Sequence, residues 1–146
     1  MCLKIDFEKT EQWKKILKAH KGWIQVWKSF DIETRVGELC SAYRYVTAKP
    51  GWNVSDRQNV EMQSFEKGKG YISSGSHVFL DPVTYASKSQ WTNNIMVPVY
   101  VKAKDLVAVG FFADTLTAVF MKYYFYRNDY DNAMNGKCIK MTRPKM

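Results

Sequence analysis

The sequence predicts an α+β domain in which a mostly antiparallel sheet follows an N-terminal helix and is joined by short later helices. Apolar residues recur at helical spacing near the N-terminus, and aromatic and β-branched residues alternate with polar ones in several later stretches. A second, shorter helical pattern stands near the C-terminus. The 146 residues fit one domain spanning 1–146, with a basic tail from about residue 137.

The first element is a helix over Phe7 to His20. Asp6 or Thr10 can cap its start, and Lys21-Gly22 suits its end. Residues three and four apart share a helix face, so the stripe expected to face the core is Trp13, Ile16, Leu17 and His20. Three lysines fall on the outer side: Lys14, Lys18 and Lys21.

Strand patterns and a long loop follow the helix. Gly22 to Phe30 alternates with period two, and Val36 to Val46 continues in the same style. The segment from Lys49 to Lys69 opens on turn chemistry at Pro50 to Asn53 and has only weak patterning afterwards. It is predicted to be a long loop with a functional role, because structureless loops of this length are uncommon in compact domains.

A strand and a short helix are predicted next. Ser76 to Leu80 is a strand, and Asp81-Pro82 supplies a helix cap and a first-turn proline for a helix over Pro82 to Ser89.

The last third of the chain is predicted to be mainly strand. Asn94 to Lys102 contains Pro98, which predicts an edge strand or a bulge because proline cannot donate to a central ladder. Thr115 to Tyr126 is the most strand-like stretch, and Asp129 to Asn135 makes a short helix.

Composition narrows the class of protein. The chain has 22 Lys and Arg against 14 Asp and Glu, a formal net charge of +8, and 46% hydrophobic residues, which is too apolar for a disordered protein. The N-terminus lacks a signal-peptide pattern, and the longest apolar run, Leu106 to Phe112, is too short to span a membrane. These features predict a cytoplasmic protein without membrane contact.

Standard catalytic and metal-binding motifs are missing from the sequence. Three dispersed cysteines and two distant histidines do not form the close ligand pairs of a zinc site. Gly68-Lys69-Gly70 lacks the following hydroxyl of a phosphate loop. A nucleophile pair of Cys40 and His77 stays open, but no catalytic residue, metal ligand or cofactor is predicted.

The basic residues indicate a binding function. Cations bind phosphate and aromatic faces stack on bases, so a loop with both suits a nucleotide or a single-stranded nucleic acid. His77 opens a strand after a serine-rich segment, where binding residues are common, although an imidazole hydrogen-bonded at a strand end is the simpler interpretation. The predicted ligand-binding residues are Arg44, Trp52, Arg57, His77, Lys102 and Lys104.

An alternative is an inhibitor that binds an acidic host protein directly. Tyr123 to Tyr126 would alternate between the two faces of a strand, so that one pair enters the core and the other forms a contact surface.

Several short blocks resemble small uncharacterised accessory proteins of bacteriophages, over roughly residues 23–134. The blocks are Gly51 to Ser55, Ser74 to Leu80, Val97 to Val101, Asp105 to Gly110 and Ala118 to Phe120. The resemblance implies a non-virion protein that interferes with a host process or defence, and it carries over no catalytic residue. Combined with the basic residues, it predicts binding of an anionic partner, either nucleic acid or a nucleotide signal.

The block Gly75 to Phe79, beside Tyr43 to Tyr45, is similar to fragments of ADP-ribosyltransferase-like folds. A further alternative is therefore a nucleotide-acting enzyme, such as an ADP-ribosyltransferase-like protein, and the residues we would place in its cleft are His77 and Arg44. Such enzymes usually need a glutamate on a late strand, and Thr115 to Tyr126 contains no acid.

Overall fold

The computed structural model describes most of the chain in segments. The described residues are 3–33, 38–41, 47–55, 63–66, 69–72, 75–80, 95–112, 115–135 and 139–140. The helices are α1 (Phe7–Ala19) and α2 (Arg127–Met134), and a 3-10 turn covers Ala103–Asp105. The strands are β1 (Leu3–Asp6), β2 (Trp23–Glu33), β3 (Glu38–Ser41), β4 (Gly51–Val54), β5 (Gln63–Glu66), β6 (Lys69–Ile72), β7 (Ser76–Phe79), β8 (Ile95–Lys102), β9 (Leu106–Phe112), β10 (Thr115–Phe120), β11 (Lys122–Phe125) and β12 (Ile139–Lys140).

The strands join into one sheet, and every pairing among the described residues is antiparallel. The main order is β4-β11-β8-β2-β7-β10-β9-β1-β6-β5, with β12 beside β8 and β3 beside β2. Together with the two helices, this arrangement confirms the predicted α+β class with a mostly antiparallel sheet.

The longest pairing joins β2 to β8 and organises the core. Trp23 pairs with Lys102 and the register continues to Phe30 opposite Ile95. Because side chains alternate between the two sides of a strand, one side of this ribbon is buried and the other is partly open. The buried side contributes Ile24, Val26, Phe30, Val97, Val99 and Val101.

Helix α1 begins at the predicted residue and ends one residue early, but its buried side differs from the prediction. Leu17 and Thr10 are buried, whereas Trp13, Ile16 and His20 are exposed. The helix packs along β9 and the 3-10 turn, and Lys18 donates from Nζ to the carbonyl oxygen of Leu106 over 3.2 Å. Contact with so narrow a part of the sheet covers only one side of the apolar stripe, so the prediction of a fully buried stripe is wrong.

The predicted loop from Lys49 to Lys69 contains strands. It holds β4 and β5 and the beginning of β6. Each of these strands has four residues, which is too few for hydrophobic alternation to be recognised in the sequence. β4 and β6 form because β11 and β1 supply their backbone partners. The interpretation of this whole segment as a loop is therefore wrong.

Pro98 lies in an interior strand, opposite Trp27 in a register without a shift, so the prediction of an edge strand or a bulge is wrong. Strand β8 has β2 on one side and both β11 and β12 on the other. The short pairings on that second side are at Met96 and Tyr100, and Pro98 falls between them. The missing N–H of the proline is tolerated because the ladder is interrupted at that point among the described residues.

The strand predicted over Thr115 to Tyr126 is two strands, β10 and β11. They are separated at Met121, whose N–H donates to the carbonyl oxygen of Asp105 over 2.9 Å. Helix α2 starts at Arg127, two residues before its predicted start. The helix predicted over Pro82 to Ser89 lies outside the described residues, and of the predicted basic tail only Ile139–Lys140 is described.

Candidate ligand-binding face

The strand β11 divides its residues between the core and an open face of the sheet. Tyr123 and Phe125 are buried, and Phe125 stacks on Phe30 at a centroid distance of 5.4 Å. Lys122 and Tyr124 lie on the opposite side and are half-buried. The alternation predicted for Tyr123 to Tyr126 is therefore confirmed.

One row of side chains crosses four strands on this open face. Tyr124 pairs with Trp52 of β4 and with Tyr100 of β8, and Tyr100 pairs with Gln25 of β2. Paired residues of antiparallel strands project from the same side of a sheet, which places these four side chains side by side.

The indoles of Trp23 and Trp52 meet above this row. Their ring centroids are 5.6 Å apart and their planes are tilted by 33°. Tyr124 lies 5.8 Å from Trp23 and 5.3 Å from Trp52, in the distance range of favourable aromatic pairs. Both indoles keep more than a third of their surface exposed, at 39% for Trp23 and 37% for Trp52.

Two tyrosines extend the aromatic surface toward α2. Tyr126 lies edge-on to both Tyr124 and Tyr100, with centroid distances of 4.9 Å in each case. Gln25 donates from Nε2 to the hydroxyl of Tyr100 over 3.4 Å. We call this surface the aromatic platform, and its members are Trp23, Trp52, Tyr100, Tyr124 and Tyr126.

Two lysines cover the indoles. Nζ of Lys102 lies 4.7 Å from the ring centroid of Trp23, and Nζ of Lys122 lies 4.4 Å from that of Trp52. Both distances are within the range of cation–π attraction. Among the described residues neither lysine pairs with a carboxylate, since the described ion pair joins Arg127 to Asp131.

The sheet register brings these two lysines together at the backbone. Tyr124 pairs with Tyr100. Lys122 lies two residues before Tyr124 and Lys102 lies two residues after Tyr100, so in these antiparallel strands the two lysines are opposite each other. Like charges opposite each other on neighbouring strands repel. The lysines turn to different indoles, and the face keeps two positive charges beside exposed aromatic rings.

A side-chain-bonded turn positions Trp52. The amide Nδ2 of Asn53 donates to the carbonyl oxygens of Lys49 and Gly51, over 2.8 and 3.2 Å, and its Oδ1 accepts from the N–H of Lys49 over 3.1 Å. Gly51 has a φ of 93°, which a residue with a Cβ rarely adopts. The turn is thereby fixed one residue before the indole.

Asp129 of α2 acts electrostatically on Tyr100 of the platform. Burial raises the pKa of Asp129 above its usual range. The pKa of the Tyr100 hydroxyl is also raised, first by burial and then by the charges of Asp129 and Tyr126, while the hydrogen bond from Gln25 acts in the opposite direction. The raised pKa keeps the Tyr100 hydroxyl protonated at neutral pH, and the two lysines of this face lie at the tryptophan end of the platform.

The structure brings together two of the sequence-predicted site residues. Trp52 and Lys102 both contact Trp23. Lys104 is exposed in the 3-10 turn that follows β8. Arg44 and Arg57 lie outside the described residues, as does the side chain of Cys40.

His77 lies on another part of the sheet. Its strand, β7, pairs with β2 at Trp27, four residues along the strand from Trp23, a separation of about 13 Å. Its Nδ1 is 3.3 Å from the carbonyl oxygen of Gly75. This contact agrees with the simpler interpretation of an imidazole hydrogen-bonded at a strand end.

Sequence reasoning missed Trp23, Tyr100 and Lys122 as site residues. Each is at an outward position of an alternating strand, so the pattern alone could have assigned its face. What the pattern could not supply is the strand order, which makes β2, β8, β11 and β4 neighbours although they are distant in sequence.

Within the described ranges no group of three or more His, Cys, Asp or Glu residues could hold a metal ion. Neither described helix has the length and apolarity that a membrane crossing requires.

Comparisons with known proteins add no family. No family model matches the chain, and no curated protein or solved structure matches it.

Proposed function

We propose that the protein binds single-stranded nucleic acid on the aromatic platform. The observation that carries this proposal is the pair of exposed indoles, each covered by a lysine without a carboxylate partner among the described residues. Aromatic rings stack on bases and lysines neutralise phosphate, and single strands are bound by surfaces that combine the two.

The shape of the surface favours a single strand over a duplex. Within the described segments the platform is a row across four strands, without a projecting helix or ribbon that would enter a groove. Sheet faces that bind single-stranded RNA likewise stack unpaired bases on aromatic side chains. A duplex hides its base faces and would leave the indoles without a partner.

The formal net charge of +8 supports the same class of ligand. It raises the rate of encounter with any polyanion, whereas the platform would supply the short-range contacts. Sequestering a strand in this way is a means by which an accessory protein of the kind that the sequence resembles would block a host process.

Direct binding of an acidic host protein remains the second candidate. It is favoured by the exposed Tyr126 beside Tyr124, which would suit an interface. Such a complex would survive nuclease treatment and would depend on the tyrosine end of the platform more than on the two indoles.

The proposal is tested by fluorescence anisotropy with a labelled twelve-residue oligothymidylate at low salt. We expect Trp52→Ala and Lys122→Ala each to weaken binding about tenfold, because each removes a stacking or phosphate contact. Raising the salt concentration should weaken the wild-type complex.

Matched controls come from α1. Trp13→Ala removes an indole that is somewhat more exposed, at 45%, and Lys15→Ala removes an exposed lysine. Both should bind like the wild type. Equal losses in the platform and control variants, or no binding at low salt, would overturn the proposal. A nuclease-resistant complex that is lost on Tyr126→Ala would support the protein-binding candidate instead.

A further inference from the structure

The arrangement of the two lysine–tryptophan pairs sets the size of the ligand. This inference rests on the proposed function and adds the number of nucleotides that the platform binds. We propose that the platform is a two-nucleotide site, in which one phosphodiester lies between Lys102 and Lys122 and the flanking bases lie against Trp23 and Trp52.

The first argument is the position of the lysines. They occupy matching places on the neighbouring strands β8 and β11, so both side chains rise from the same part of the face. Two ammonium groups with this origin repel each other, and an anion placed between them removes the repulsion. A phosphodiester is the anion that a single strand supplies once between each pair of bases.

The second argument is the contact that each lysine makes with an indole. Lys102 covers Trp23 and Lys122 covers Trp52, at 4.7 and 4.4 Å from the ring centroids. Both side chains are half-buried, with flexible stems that allow the ammonium to move. When the ammonium groups turn inward to a shared phosphate, they leave the two indole faces to the two bases.

The third argument is the spacing of the indoles. Their centroids are 5.6 Å apart and their planes are tilted by 33°, whereas stacked bases of one strand are spaced by about 3.4 Å. Two bases that follow the indoles are therefore separated and tilted from each other. The site favours thymidine or other pyrimidine nucleotides, whose weaker self-stacking costs less to disrupt.

The limits of the aromatic surface agree with a site of this size. Beyond Trp52 the same face of β4 continues with Val54, which is 65% exposed. Beyond Tyr100 the face of β8 continues through Pro98 to Met96, which is buried against Phe79 and Trp27. Neither direction offers a third exposed indole among the described residues.

The test uses the dinucleotide dTpdT and its methylphosphonate analogue, which has the same two bases and no charge on the linkage. Binding is followed by NMR on the indole N–H signals, assigned by Trp→Phe variants. We expect dTpdT to shift the signals of Trp23 and Trp52 and to leave that of Trp13 unchanged. The analogue should bind at least tenfold more weakly, because it lacks the charge that both lysines share.

Length and coupling give two further readouts. A four-residue oligothymidylate should bind no more than about threefold tighter than dTpdT, since it offers three registers of one two-nucleotide site. Lys102→Ala and Lys122→Ala should each weaken dTpdT, and the double variant should lose less than the product of the two single losses, because both residues act on one phosphate.

The outcomes separate this inference from the proposed function. Equal affinities for dTpdT and its analogue would overturn the two-nucleotide site. An affinity that rises with oligonucleotide length by much more than the number of available registers would overturn it as well. The two-nucleotide site would also be overturned if the protein bound the twelve-residue strand but millimolar dTpdT did not shift the indole N–H signals of Trp23 and Trp52. If the twelve-residue strand itself does not bind, the proposed function fails and the inference fails with it.

Discussion

The ammonium of Lys28 donates a hydrogen bond to the carbonyl oxygen of His77, with Nζ and O 3.1 Å apart, inside the core between β2 and β7. Lys28 is on the same side of β2 as Val26 and Phe30 and is buried with them. Its Nζ also lies 5.3 Å from the ring centroid of Tyr123. Burial lowers the pKa of Lys28 from 10.5 to about 8.

This lowered pKa predicts that stability rises with pH in the alkaline range. Between about pH 8 and 10.5 the folded protein has released the Lys28 proton, whereas the unfolded chain retains it. The unfolded state binds more protons there, so the free energy of unfolding increases with pH, by about 2 kcal/mol between about pH 7.5 and 9.5. Urea unfolding at a series of pH values measures this rise.

The variant Lys28→Met isolates the contribution of the buried amine. Methionine has a similar length and no charge, so the alkaline rise should shrink by about 2 kcal/mol relative to the wild type. The exposed-lysine variant Lys15→Ala should keep the full rise. An unchanged pH dependence in Lys28→Met would mean that Lys28 is not the group responsible.

Asn53→Ala should loosen the turn that precedes Trp52. The substitution removes three hydrogen bonds to the backbone of Lys49 and Gly51, and we expect a loss of about 1–2 kcal/mol in the free energy of unfolding. Asn132→Ala, at an exposed position of α2, serves as the control and should change little. A displaced indole N–H signal of Trp52 in Asn53→Ala alone would confirm the positioning role, and an unmoved signal would contradict it.

Gly51→Ala should cost stability through backbone conformation alone. An added Cβ would meet nothing within 4 Å, but the φ of 93° is unfavourable for any residue with a Cβ. We expect a loss of roughly 1–2 kcal/mol, measured by chemical denaturation. Gly22→Ala, at a φ of 82° and equally open, should lose a similar amount. A much larger loss at either position would indicate a steric clash that the structure does not contain.

Phe125→Ala and Tyr126→Ala should separate the core from the platform. Phe125 is fully buried and stacks on Phe30, so its truncation should cost about 3–5 kcal/mol. Tyr126 is 41% exposed, and its truncation should cost less than about 1 kcal/mol. Comparable losses for the two variants would contradict the assignment of neighbouring residues to opposite faces.

Local pattern predicted the elements that are long or strongly periodic. Helix α1, the strand from Trp23 and the strand from Ile95 were identifiable because many residues repeat one spacing. Strand β4 was missed because its four residues carry little periodicity of their own. It exists through its pairing with β11, a partner more than sixty residues away in the chain.

The same limit applies to the candidate site. Residue type predicts Trp52 and Lys102 as site residues, and the structure places both against Trp23, which the sequence pattern assigns only to a strand. The turn chemistry at Pro50 to Asn53 was visible in the sequence, but the meeting of four strands was not. Side-chain exposure on α1 was also unpredictable, because it depends on how little of the sheet the helix covers.

The division of β11 between two faces couples the aromatic platform to the core within a four-residue segment. Deleting or inserting a single residue there would exchange the two sets, exposing Tyr123 and Phe125 and driving Lys122 and Tyr124 inward. Insertions or deletions in this strand would therefore disrupt both the fold and the aromatic platform. Point substitutions at its outward positions change the platform without that penalty, so the chemistry of this face can vary by replacement at these positions but not by changes in strand length.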